Sequence, residues 1–166
     1  VAAEVKFAEI LPEHIEFTAL NMRKEDAIEC FLLSEQSPRE ALVQSIELSE
    51  FSSTMLIEGQ PASLFGVACL RRSILGDEPS IGVPWSLSTP VVDRFPREFY
   101  VASKVGVELL RDRFDILVNY VDANYHKSVR WLKRIGFEVG DPVLLGKARS
   151  PFQPFMWRRS WARLEQ

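Results

Sequence analysis

Few residues in this 166-residue chain combine reactive chemistry with a position that could use it. Asp122 is the first. It directly follows Ile116-Leu117-Val118-Asn119-Tyr120-Val121, an apolar run of strand length. The C-terminal ends of such strands are where α/β sheets place ligands, and a carboxylate there could take up a proton. Asn119, inside the run, needs a partner once buried, either on a ligand or as a bridge between strands. Tyr120 and Tyr125 carry hydroxyls that could donate a proton, although packing aromatics with tethered hydroxyls fit the same positions. Glu58 and Glu138 are further candidate bases that also read as solvated strand-end carboxylates. His126 lies near Asp122 on a helix start, and His14, on a first helical turn, is expected at the surface. No Ser/His/Asp or Cys/His arrangement appears, nor a nucleotide phosphate loop. Cys30 and Cys69 sit among apolar neighbours and read as reduced, buried thiols. With two histidines far apart, no metal-ligand spacing exists.

The elements that must position these residues follow from periodicity. Val5 to Ile10 alternates as a first strand, and Pro12 suits a first helical turn. Ile15, Leu20, Ile28 and Phe31-Leu32-Leu33 predict one or two helices up to Ser34. Ser37-Pro38-Arg39-Glu40 is a capping-box start for another. Ser53 to Glu58 and Ala62 to Leu70 read as a hairpin across Gly59-Gln60-Pro61. A strand at Val83 to Thr89 precedes the longest helix, Arg94 to Phe114, with Phe95, Phe99, Ala102, Val105, Leu109 and Leu110 as its apolar face. After the strand Asp115 to Val121 comes a short helix, Tyr125 to Ile135, with Gly136 as its C-cap. Phe137 to Leu145 and Phe152 to Arg158 close the order as strands. The run Arg149 to Trp161 mixes aromatic and basic residues. It reads as a final edge strand blunted by Pro151 and Pro154, with nucleic-acid stacking or protein docking as alternatives. Such a mixed order predicts an α/β (α+β) sandwich around one central sheet, in a single domain over residues 1–166.

Composition narrows the function classes. Hydrophobic residues make up 46%, enough for a core without staples. A net charge of −3 argues against a dedicated nucleic-acid binder. No stretch reaches the roughly 18 apolar residues of a membrane helix. Val1 to Lys6 lacks the basic and apolar regions of a secretory leader, so a reducing, cytosolic setting is the expectation.

The run Asn124-Tyr125-His126-Lys127-Ser128, continuing through Arg130, Leu132 and Lys133 to Gly136-Phe137, resembles the motif of GCN5-related N-acetyltransferases (GNAT). Asn124 opens the helix as a polar cap, Ser128 is the small residue four positions on, and Gly-Phe ends it. Phe99-Tyr100, Asn119-Tyr120-Val121 and Arg130-Trp131-Leu132-Lys133 further resemble small GNAT-like proteins of short-tailed bacteriophages, described as acetyltransferases or internal virion proteins. The resemblance implies a GNAT fold, with a central mixed sheet of about six to seven strands and helices on both faces. It implies acetyl-CoA as cofactor, transfer of acetyl to a primary amine, and a location in the host cytoplasm or the virion. An acyl-CoA, or a phage or host protein, is then the expected partner. Leu87, Ser88 and Thr89 would meet the pantetheine arm. Arg94 and Arg97 would face the pyrophosphate, and Asn119, Asn124 and Ser128 would line the site. Tyr120, Asp122 and Tyr125 are the catalytic candidates. Two departures point to an altered or lost activity. The stretch from Ser88 to Glu98 has no glycine where the family brings backbone close to phosphate. Leu132 stands where many members carry a tyrosine as general acid.

Overall fold

The computed structural model describes residues 1–73, 76 and 78–160. Strand β1 (Val5–Ala8) leads into three helices, α1 (Pro12–Leu20), α2 (Lys24–Ser34) and α3 (Pro38–Leu48). A meander follows of β2 (Ser49–Ile57), β3 (Gln60–Arg71) and β4 (Ile81–Ser88). The short α4 (Val91–Arg94) and the long α5 (Pro96–Arg113) precede β5 (Ile116–Asp122) and α6 (His126–Arg134). Strands β6 (Glu138–Val139), β7 (Val143–Leu145) and β8 (Ser150–Arg158) end the described chain.

These strands form one mixed sheet in the order β1-β2-β3-β4-β5-β8-β6, with β7 also on β8. All neighbours are antiparallel except β4 and β5. The β2–β3 hairpin turns at Glu58 and Gly59, both at positive φ, as a tight two-residue turn requires. Ser37 caps α3 as expected: its hydroxyl accepts from the Glu40 N–H while the Glu40 carboxylate accepts from the Ser37 N–H.

Register assigns the faces. Leu64, opposite Thr54 and Leu87, points towards α1 and α3. Phe65, Val67 and Leu117 point the other way, where Phe99, Val107, Val129 and Leu132 of α5 and α6 close two adjoining cores. Trp131 stacks on Phe99 at 5.1 Å and joins them.

Several expectations need correction. The predicted long helix starts two residues later than expected, at Pro96, because Phe95, with φ −126° and ψ 58°, is non-helical and separates α4 from α5. Val105 and Leu109, expected in its apolar face, are exposed. Phe137 to Leu145 is not one strand: β6 and β7 are short pieces laid along β8. The C-terminal strand is not an edge, because β5 flanks β8 on one side and β6 and β7 on the other. Its Phe152 and Phe155 are buried and unavailable for stacking on a nucleic acid; Trp161 lies outside the described residues. His14 is buried, with Nδ1 accepting from the Leu11 N–H at 3.2 Å and lying 3.0 Å from the Thr54 hydroxyl.

Candidate active site

Strands β4 and β5 share a ladder only at Ile81–Ile116 and Gly82–Leu117. Pro84 then removes the N–H that the ladder would need, and the strands splay towards their C-terminal ends. Asn119 spans the start of the gap, donating from Nδ2 to the Pro84 carbonyl at 2.9 Å. The closed end is clamped by Asp115. One carboxylate oxygen accepts from the Ser80 N–H and hydroxyl, each at 2.9 Å, and the other from Arg159 Nε at 3.1 Å. These donors hold the Asp115 carboxyl below its ordinary range.

The open end is capped by α2. Asp26 Oδ2 accepts from the Ser88 N–H at 2.8 Å, and the Arg23 N–H donates to the Ser88 carbonyl at 2.9 Å. One turn on, Glu29 Oε2 accepts from the Asp122 N–H at 3.0 Å. Asp26 and Glu29, three residues apart, share a helix face, so one helix caps the last residue of both splayed strands. The helix is inverted relative to the usual pattern. Asp26 is its buried side chain, whereas Ile28, Phe31 and Leu33 are exposed.

The electrostatics are one-sided. Asp26 and Asp122 lie close enough to Glu29 to add to the effect of burial in raising its carboxyl, and the guanidinium of Arg23 pairs with Asp26 at 3.3 Å, lies 3.8 Å from Asp93 and sits 5.6 Å from the Tyr125 ring centroid. Burial pushes the Glu29 carboxyl up to about 8 against the pull of its hydrogen bond from Asp122. It also raises Asp26, although Arg23 opposes the shift. The Tyr125 hydroxyl is raised by burial and the nearby Asp26. Cys30, pushed up to about 12 mainly by burial, stays a thiol and is unsuited to nucleophilic attack.

Through the gap runs a cleft of about 650 Å³ that opens on both faces of the sheet. Glu29, Cys30 and Tyr120 line it on the α2 side; Ser86, Asn119, Ser128 and Trp131 line it on the α5 side or in the gap. Tyr120 and Leu132 both reach it, Leu132 as a buried core residue.

The remaining candidates scatter. Asp122 is buried, and its Oδ1 accepts from the Asn124 N–H at 2.9 Å, so it organises the loop. Asn124 is exposed and does not cap α6; Tyr125 holds the N-cap position, without a side-chain cap. Tyr125 is buried against Arg23 and does not line the cleft. Leu87 lines the cleft by its side chain. Thr89 is fully buried and bonded back to β3 through its N–H and hydroxyl. Arg94 is held by Gln60 at 2.7 Å, and Arg97 is exposed at the start of α5. Glu58 lies in the hairpin turn, accepting from the Glu4 N–H, and Glu138 and His126 are exposed. Arg23, Asp26 and Glu29 were missed by sequence reasoning. The available signal was an Asp and a Glu on one helix face beside an Arg, masked by the stronger apolar pattern of α2.

The turn between β4 and α5 is self-contained. The N–H groups of Val92, Asp93 and Phe95 donate to Thr89, Pro90 and Val91 carbonyls. Val91 and Val92 are buried, and Asp93 pairs with Lys127 and lies 3.8 Å from Arg23. Among the described residues, no three His, Cys, Asp or Glu side chains converge to hold a metal, and no helix is long and apolar enough to cross a membrane.

No family model matches the chain, and no curated protein matches it significantly. Solved structures do. A GNAT-family acetyltransferase from Streptococcus agalactiae superposes with a TM-score of 0.65 at 11% identity, over 94% of this chain and 96% of that one. A GNAT-family acetyltransferase from Bacillus anthracis gives 0.64 at 8% identity, over 95% and 97%. An aminoglycoside acetyltransferase in complex with coenzyme A gives 0.64 at 13% identity, over 98% and 100%. At these identities the likeness is one of fold: the chain has the GNAT fold.

Proposed function

We propose that this protein is a GNAT-fold scaffold, related to acyl-CoA-dependent N-acetyltransferases, whose cofactor site has been rebuilt so that acetyl-CoA is no longer held in the family manner. One observation carries the reading. Along β4 the backbone of even-numbered residues faces the gap, where an extended ligand would bond, and both groups of Ser88 are already bonded to Arg23 and Asp26 of α2. The turn beyond supports it. Its N–H groups are spent internally, its valines are buried, and its carboxylate, Asp93, already engages Lys127 and Arg23, cations beside the turn. The residues present do not fit the cofactor, so no transfer step is derived through it. Isothermal titration with acetyl-CoA and with CoA tests this. No heat up to millimolar ligand is expected, and binding in the micromolar range, about −8 kcal/mol, would overturn the reading.

A second reading, a working N-acetyltransferase for a primary amine, is favoured by Glu29. This carboxyl lines the cleft and titrates near 8, in the range suited to a general base at neutral pH. Acetyl-CoA consumption in the presence of simple amines, lost in Glu29→Gln, would support it over the first.

The finer placement, among GNAT-like proteins of short-tailed phages that act in the host cytoplasm or the virion, rests on the sequence runs around Phe99, Asn119 and Trp131. A protein absent from purified particles would count against a virion role. We also read residues 1–166 as one domain, because a continuous sheet gathers strands from Val5 to Arg158.

A further inference from the structure

Helix α5 carries a second apolar stripe, separate from its core face. Val101, Val105 and Leu109 recur every four residues and are 53%, 52% and 60% exposed. The core is closed instead by Phe99, Ala102 and Val107. Three large aliphatic side chains aligned over two turns of one helix form a contiguous exposed patch, which marks an interaction surface more often than a solvated face. Phe51, also largely exposed, extends it at the C-terminal end, where the Arg113 guanidinium lies 6.0 Å from its ring centroid. Gly106 sits among these residues. A Cβ built there meets nothing within 4 Å, so packing within this chain does not demand a residue that weakens a helix interior by about 1 kcal/mol relative to Ala.

We propose that this stripe is the two-fold interface of a homodimer, with α5 lying antiparallel against α5 of a second copy. The arrangement of charges selects that occupant. An axis through Val105 sets Val105 against its own copy and Val101 against Leu109. The same axis brings Glu98, three residues before Val101, beside Arg113, four residues after Leu109. The stripe is thus apolar at its centre with opposite charges at its two ends, which a parallel or unrelated helix would not match but an antiparallel copy satisfies twice. Arg113 forms no ion pair among the described residues, so it is available for this contact. Such an isologous surface closes on itself and makes dimers only. From Glu98 to Arg113 the contact runs roughly 22 Å at 1.5 Å per residue, a narrow seam that fits a micromolar dimer better than an obligate one.

Sedimentation velocity of the whole chain over a concentration series tests the proposal. A monomer–dimer equilibrium is expected, with Leu109→Glu shifted to monomer by at least tenfold in dissociation constant and unchanged in melting temperature. Glu98→Arg and Arg113→Glu should each weaken the dimer, and the double exchange should restore it. A Val105→Cys variant should form a disulfide dimer under mild oxidation that the parent, with its Cys30 and Cys69, does not. A parent that stays monomeric to about 0.5 mM, or a dimer indifferent to the charge exchange, would overturn the interface. None of these readings involves CoA, so they stand or fall separately from the proposed function.

Discussion

At the scale of single residues, Glu29 governs how this molecule should respond to pH. Its carboxyl is held neutral to about 8 in the fold but titrates near 4.3 in an unfolded chain. The folded state therefore binds the extra proton between these values. Stability from this group is fully present below about pH 4, falls as pH rises towards 8 and is constant above it, a span of up to about 5 kcal/mol. Glu29→Gln should flatten that decline in urea titrations at pH 5, 7 and 9; an unchanged slope would remove Glu29 as its source. Asn119 acts more locally. Its amide is the bond that bridges the splay at Pro84, so Asn119→Leu should cost about 1–3 kcal/mol by leaving the strand-end geometry unsupported. A melting temperature equal to the parent's would show that the bridge contributes nothing. Neither role could be read from sequence in full. Asn119 was legible as a buried polar residue with two possible partners. Glu29 was not legible, because nothing in the local pattern says that a helix will present its acids inward.

At the scale of elements, the glycines separate two physical cases. Gly66 lies where a Cβ would stand 2.5 Å from the Phe51 carbonyl oxygen, so Gly66→Ala must push β2 from β3 and should destabilise by about 1–3 kcal/mol. Gly106 has open space around it, so Gly106→Ala should stabilise α5 by roughly 0.5–1 kcal/mol. Thermal melts of the two variants should move in opposite directions, and movement in the same direction would contradict this geometry. The helix ending at Gly136, with its φ of 108°, was anticipated from Gly-Phe alone, because only glycine adopts that turn cheaply. The capping box at Ser37 was equally local and equally legible. The break at Phe95 was missed because an apolar residue between two prolines still fits the helical period.

At the scale of the whole molecule, one sheet links β1 to β8, and the cores on its α5 side meet through Trp131. Unfolding should therefore be a single event, with near-ultraviolet and far-ultraviolet circular dichroism giving one coincident transition. Two separated transitions would divide the chain into independent units and remove the one-domain reading.

What the sequence determined by itself is the set of features encoded locally. These are the strands and helices, the hairpin at Gly59, the caps at Ser37 and Gly136, through their order an α/β sandwich around one sheet, and through the resemblance of the run Asn124 to Phe137 the GNAT fold. The stretch after Ser88 also lacks the glycines that the resembled family uses to bring backbone close to phosphate. Only the tertiary structure decided what meets the ends of the splayed strands. The acids of α2 reach Ser88 and Asp122 from residues that are 62 and 93 positions away in the chain. Periodicity reports which residues share an element's face, not which distant groups that face will meet. Charge burial depends on the second kind of information, so the glycine-free turn was visible in the sequence while the acidic cap on the strand ends was not.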